Sequence, residues 1–158
     1  MMAIEKVKSY LKQWNMDAKI IEFDVSCATV ALAAEALGCE GKRIAKTLSF
    51  KVEEKPILIV TAGDARIDNK KYKTRYGVKA KMLNPEEVET MIGHAVGGVC
   101  PFGIHKSVIV YLDESLKRFE TVFPACGSDN SVIELTIPKL EKYSGYESWV
   151  DVCKDWQE

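Results

Sequence analysis

Ile44-Ala45-Lys46-Thr47-Leu48-Ser49-Phe50-Lys51-Val52, then Glu53-Glu54-Lys55, then Pro56 to Ala62, is the stretch that decides the fold. Apolar residues fall at Ile44, Leu48, Phe50 and Val52, the period-two pattern of a strand with one buried face. Glu53 to Lys55 is a turn, and Pro56 to Ala62 is an apolar strand. Together they predict a β-hairpin. Lys46 is the anomaly. Alternation puts it on the same face as Ile44, Leu48 and Phe50. An inward lysine needs a phosphate, a carboxylate or a substrate carbonyl, unless its stem snorkels to water from the strand end.

Upstream, Ile4, Val7, Leu11 and Trp14 recur at helical spacing. Lys19 to Phe23 reads as a short strand. Ser26 or Thr29 caps an alanine-rich helix from about Val30 to Leu37, and Gly38 stops it. Downstream, Asp68 to Tyr76 is a polar helix closed by Gly77, and Lys79 to Leu83 a short strand. Asn84-Pro85-Glu86-Glu87 starts a helix: an N-cap, a proline in the first turn and two acids at the positive end of the dipole. That helix runs to about Ile92 and stops at Gly93. Strands follow at 107–112, 120–123 and 132–137, a helix at 138–143 and a last strand at 148–152. The strands come as hairpins and short runs, not in strict βαβ alternation. The expected class is α+β: a curled, mixed or mostly antiparallel sheet with flanking helices. No repeat or linker divides the chain, so residues 1–158 are expected to form one domain.

The 158 residues carry 22 Lys+Arg and 23 Asp+Glu, a formal charge of -1 that excludes a wholly basic nucleic-acid binder. The charge is unevenly placed. Between positions 66 and 81, Arg66, Lys70, Lys71, Lys73, Arg75, Lys79 and Lys81 face one acid, Asp68. Tyr72 and Tyr76 are interleaved. Lysines neutralise phosphates and aromatics stack on bases, so the segment fits a nucleic-acid footprint. It equally fits a solvated helix face. The five cysteines are odd in number and have no C-x-x-C spacing, so neither a zinc site nor a disulfide framework is expected. Scattered thiols and the absence of an apolar leader point to the cytoplasm. No apolar run approaches the roughly 20 residues a membrane helix needs.

Gly93-His94-Ala95-Val96-Gly97-Gly98-Val99-Cys100-Pro101-Phe102-Gly103 holds four glycines and a proline between a helix and a strand. Glycine permits close backbone approach, and such a loop can aim N–H groups at an anion or oxyanion. A tight structural turn has the same composition. Cys100 and His94 share the loop, and a Cys–His pair can generate a thiolate nucleophile. Asp113 and the carboxylate pairs sit at turns and helix starts, where capping accounts for them. No phosphate-binding glycine fingerprint follows a strand.

In this order and spacing, Arg43-Ile44-Ala45-Lys46-Thr47-Leu48, Ala62-Gly63-Asp64 and Gly97-Gly98-Val99-Cys100-Pro101-Phe102-Gly103 resemble the YbaK/EbsC family. Its members are relatives of the editing domain inserted in bacterial prolyl-tRNA synthetases. The resemblance covers about residues 25–152. It implies a curled, barrel-like sheet and a trans-editing activity: hydrolysis of the ester joining a wrong, small amino acid to the 3′ end of a tRNA, often tRNA(Pro). It implies that Lys46 positions the substrate and that Gly98 shapes the pocket at the scissile carbonyl. Thr47, Gly97, Cys100, Pro101, Phe102, Gly103, Ala125 and Gly127 are then expected around the substrate. The tRNA is expected on Lys70, Lys71, Lys73 and Arg75. Water attack would be assisted by the substrate's own ribose hydroxyl, with no metal and no cofactor. The implied partners are mischarged tRNA and, as a further candidate, a synthetase. Thr47 stands where some members that remove alanine have asparagine. Ala125 stands where others have serine or histidine, and Cys100 where serine is frequent. Two other readings stay open: a non-catalytic tRNA- or synthetase-binding module of the same fold, and a cysteine hydrolase using Cys100 with His94.

Overall fold

The structure is a computed structural model describing residues 2–157; Met1 and Glu158, which the single-domain expectation includes, lie outside the described residues. The hairpin forms as predicted. Strand β2 (Ile44–Val52) pairs antiparallel with β3 (Lys55–Ala62), from Ala45 opposite Ala62 to Val52 opposite Lys55. The turn takes Glu53 and Glu54 to φ of 50° and 66°, the positive values that a two-residue hairpin of this twist demands.

The hairpin sits mid-sheet. With β5 (Ile109–Asp113), β6 (Thr121–Pro124), β8 (Leu135–Thr136) and β9 (Ser148–Val150) it builds a six-stranded sheet ordered β8-β6-β2-β3-β5-β9. Pairs β2–β6, β3–β5 and β5–β9 are parallel, and β2–β3 and β6–β8 antiparallel, so the sheet is of the mixed kind. A central strand with parallel neighbours is covered on both faces, not the single face that alternation suggests. Ala45, Leu58 and Val60 face the main core with Val7 and Leu11 of α1 (Ala3–Lys12) and Leu140 of α5 (Ile137–Ser144). Phe50, Ile57 and Ile59 face a second cluster with Tyr72, Tyr111 and Val150. Ile44 joins a third with Ala33 and Ala34 of α2 (Val30–Leu37). Thr29, not Ser26, caps α2 through its side chain, and Gly38 ends it in the left-handed region at φ 70°.

Three expected elements change. Lys79 to Leu83 is a single bridge, Met82 opposite Phe50, because the chain only crosses the end of β2 before the next helix begins. The strand at 132–137 is broken. Ser131–Val132 (β7) pairs with Ile21–Glu22 (β1), Leu135–Thr136 pairs with β6, and Ile137 already begins α5, capped by Thr136. The helix from Pro85 starts with a full capping box between Asn84 and Glu87, as α4 (Pro85–Glu87). It then widens to a π turn over Val88–Ile92, closed by Gly93 at φ 101°. A small ribbon not anticipated from the pattern pairs β4 (Arg66–Ile67) with β10 (Cys153–Lys154).

The basic helix α3 (Asn69–Tyr76) is correctly placed, but its tyrosines are not free to stack on bases. Tyr72 is fully buried. Its ring lies 5.1 Å from that of Phe50 and 4.7 Å from that of Tyr76, which in turn meets Tyr111 at 5.3 Å. Lys71 is tied to Asp151 at 3.0 Å and to the Cys153 carbonyl at 3.1 Å. Lys70, Lys73 and Arg75 remain exposed, with the Arg75 guanidinium over Tyr76 and Tyr111. Among the described residues, no helix is long and apolar enough to cross a membrane.

Candidate active site

The sheet has a gap beside β2. Along β2, strand β6 reaches only Ile44 and Ala45; at Ala125 the chain turns off to bridge Val132. The next neighbour on that side of β2 is Met82, opposite Phe50. Between these two contacts lies a cavity of about 440 Å³ lined by Lys46, Thr47, Ser49, Gly97 and Ala125, together with the start of α2 and residues of the Pro85 helix.

Lys46 is half-buried in its wall, and its Nζ donates to the Gly63 carbonyl at a long 3.4 Å. Among the described residues no carboxylate lies within ion-pair distance of it. Burial holds its ammonium below the ordinary lysine range, with Asp64 opposing that in part. Asp64 is instead clamped by Arg118 through two bonds of 2.6 and 3.0 Å. The Gly63 carbonyl reaches Lys46 because Gly63 has no side chain: a Cβ there would lie 2.0 Å from the Gly41 oxygen.

The glycine loop divides into two halves. Ala95 to Gly98 is a tight turn, closed by the Gly98 N–H donating to the Ala95 carbonyl at 3.1 Å, with Gly97 at φ 97°. This turn meets the cavity through Val96 and Gly97, and Gly97 packs against Ala28 and Asp129. The Gly97 N–H has no acceptor among the described residues. Gly98 and Gly127 sit behind the wall, not on it. The Gly127 N–H donates to the Gly98 carbonyl at 3.0 Å, and a Cβ on Gly98 would come within 2.7 Å of the Gly127 backbone. Cys100, Pro101, Phe102 and Gly103 lie outside the cavity. The first three are buried, and Gly103 packs on the backbone of α1 at Lys6. A loop of this composition serves both as a turn at the mouth and as a plug in the core, and spacing cannot separate the two.

Cys100 and His94 do meet, with Sγ 3.5 Å from Nε2, but no nucleophile results. Both are buried, and Nε2 lies 2.8 Å from the Phe102 carbonyl, so that nitrogen carries the proton. It therefore cannot take one from the thiol. Burial pushes the Cys100 thiol up to about 12 and lowers the His94 imidazole. Among the lining residues, the ionisable side chains are Lys46 and the Cys27 thiol, itself raised by burial. The cavity thus offers a cation and amide donors but no histidine or carboxylate base.

Ser49, the Cys27–Val30 segment and the Met82–Val88 wall were missed as lining residues. They come together only because β6 leaves β2 after two residues, which no local pattern reports.

Residues 24–143 match the model of the aminoacyl-tRNA editing domain. The chain is 54% identical over 157 residues to the uncharacterized protein YwhH of Bacillus subtilis (strain 168), covering 99% of this chain and all of that one. It is 31% identical over 94 residues to the proline–tRNA ligase of Bacillus cytotoxicus, 59% of this chain and 16% of the ligase's length. A crystal structure described as a candidate trans-editing enzyme for prolyl tRNA synthetase superposes with a TM-score of 0.86 at 29% identity, covering 96% of this chain and 97% of that one. By its fold and by the extent of that match, this chain belongs to the aminoacyl-tRNA editing domain family.

Proposed function

We propose that this chain is a trans-acting deacylase that hydrolyses the ester between a small, wrong amino acid and the 3′ end of a tRNA. The observation that carries it is Lys46: a half-buried ammonium with no carboxylate partner among the described residues, in the wall of a cavity whose other lining residues carry no charge. One of its three N–H donors is used by Gly63, which leaves two for a ligand's oxygens. A cavity of about 440 Å³ falls within the roughly 300–1,000 Å³ typical of small-ligand sites. Its largely apolar lining suits a small side chain of the kind that a synthetase discriminates poorly by binding alone, which is the substrate a second sieve removes.

The chemistry suits the residues present. An aminoacyl ester is already activated, so positioning and oxyanion donors are sufficient machinery. The oxygen of a water adds to the ester carbonyl carbon. The bond from that carbon to the ribose oxygen breaks, and the ribose oxygen takes up the water's proton. Free amino acid and intact tRNA result. Lys46 holds the substrate, and the terminal ribose hydroxyl assists the water in place of a protein base. The exposed Lys70, Lys73 and Arg75, with Lys71 beside them, are the proposed contacts to the tRNA backbone. The likeness to part of a proline–tRNA ligase supports tRNA(Pro) as the carrier and a synthetase as an associated partner.

Ala125 favours a second reading. It places a methyl group on the cavity wall where a polar group would orient a substrate, which suits a module that binds without turnover. Incubation with tRNA charged with cysteine, alanine, serine or threonine separates the two. The deacylase accelerates release of at least one of them. Salt-dependent binding with no release above the spontaneous rate for all four establishes the binding module.

A further inference from the structure

The gap beside β2 also exposes backbone. The Leu83 N–H donates to the Ser49 carbonyl at 3.2 Å, and the Lys51 N–H to the Lys81 carbonyl at 2.9 Å. The backbone groups of Ser49 and Lys51 therefore point away from β3. In an antiparallel ladder this direction alternates from residue to residue, and the β2–β3 register runs unbroken through this region. Thr47 therefore points the same way as Ser49, into the gap. Strand β6 has stopped pairing by then, and Met82 has not yet begun. The Thr47 N–H and C=O and the Ser49 N–H thus have no partner among the described residues, and both residues line the cavity. The Thr47 Oγ1 is buried without a partner as well. Unpaired backbone in the middle of a sheet invites a strand to complete it.

What is missing is one residue's worth of strand: a donor for the Thr47 carbonyl and an acceptor for its N–H. An aminoacyl group carries that pair, an α-ammonium and an ester carbonyl on adjacent carbons. We infer that the aminoacyl group of the substrate docks as a one-residue strand on β2, its ammonium donating to the Thr47 C=O and its carbonyl oxygen accepting from the Thr47 N–H. This rests on the deacylase reading and deepens it. The Thr47 amide then becomes an oxyanion donor, because negative charge grows on that oxygen as water adds. Recognition by backbone is indifferent to the side chain at position 47, so threonine in place of asparagine leaves this contact intact.

The test is a titration of the ¹⁵N-labelled full chain with 3′-deoxy-3′-(L-alanylamino)adenosine, whose amide replaces the labile ester. The Thr47 and Ser49 amide resonances are expected to move, and N-acetylation of the alanyl nitrogen is expected to weaken binding. In parallel, a semisynthetic chain with the α-hydroxy analogue of threonine at position 47 lacks that N–H and keeps the side chain, at the expense of a weaker Lys46 carbonyl in the β2–β3 ladder. Its turnover on mischarged tRNA should fall by about 10²-fold, while the chain stays folded with at most a small drop in melting temperature. Wild-type turnover with unmoved Thr47 and Ser49 amides, or undiminished turnover in the α-hydroxy variant, overturns the docking and leaves the hydrolysis standing. Amides that move without turnover support the docking and overturn the hydrolysis. Shifts produced by an extended peptide but not by the analogue overturn the docking in favour of a protein partner.

Discussion

Lys46 and Lys51 lie five residues apart on the same strand, and the fold treats them in opposite ways. Lys51, at the hairpin end, is ion-paired with Glu87, whose other oxygen accepts from the Asn84 N–H in the capping box. That contact holds the Lys51 ammonium above its ordinary range and the Glu87 carboxyl below its own. Lys46, at the open end, has the Gly63 carbonyl and a place in the cavity wall, and burial drives it the other way. One lysine joins a strand to a helix cap. The other keeps its charge unspent at a cost to the fold, which is what a ligand site requires.

The largest stability effect is expected at the open end. Gly98→Ala would push a Cβ to within 2.7 Å of the Gly127 and Ser128 backbone, so denaturant unfolding should show a loss of about 1–3 kcal/mol. A variant as stable as its parent would show that the loop behind the cavity is loosely packed and would blur the contrast between the two ends.

At the closed end the effect should appear as pH dependence. Glu87 has its folded pKa depressed, so its contribution is present above the unfolded glutamate value of about 4.3 and is lost as pH falls through the folded one. Lys51 has its folded pKa raised, so its contribution is lost as pH rises through that value. Glu87→Gln should lower the melting temperature near neutrality and flatten its fall in acid. Turnover should be untouched. A change in turnover as large as the change in stability would erase the distinction between the two lysines.

The smallest effect should come from helix α3, outside both ends. Replacing Lys70 and Lys73 by glutamine should weaken tRNA binding and reduce the slope of log affinity against log salt by about 0.9 for each phosphate no longer neutralised. Lys71, already engaged by Asp151 and the Cys153 carbonyl, should add less than either. Unchanged binding would make the segment a solvated face.

Much of the fold was legible in the sequence because its signals are local. Thr29 and Gly38 bracket α2, Asn84-Pro85 opens the next helix, and the period-two pattern at 44–52 gives β2. What failed depended on distant partners. The run at 132–137 reads as one strand but is shared between two sheets and a helix. Tyr72 and Tyr76 lie in a lysine-rich segment, and only the second core shows that their rings point inward. In the site, Lys46 was conspicuous because a charge interrupts an apolar pattern. The division of the glycine loop was not, because Gly97 at the mouth and Gly98 behind it are the same residue type side by side, set apart by a positive φ at Gly97 and by the Gly127 backbone packed on Gly98. The Cys100–His94 pair is the reverse case. Proximity was legible, but burial, which removes its reactivity, was not.

The most direct test compares the parent with Lys46→Met, measuring release of amino acid from mischarged tRNA and the melting temperature on the same preparations. Burial lowers the Lys46 pKa in the folded state. Its charge therefore costs stability at neutral pH, a cost relieved only as pH rises through that lowered value. The expected result is a loss of turnover of about 10²-fold or more with a melting temperature that is unchanged or raised. Retained turnover, or a loss of turnover that merely follows a loss of folded protein, would contradict the assignment of Lys46 to the substrate.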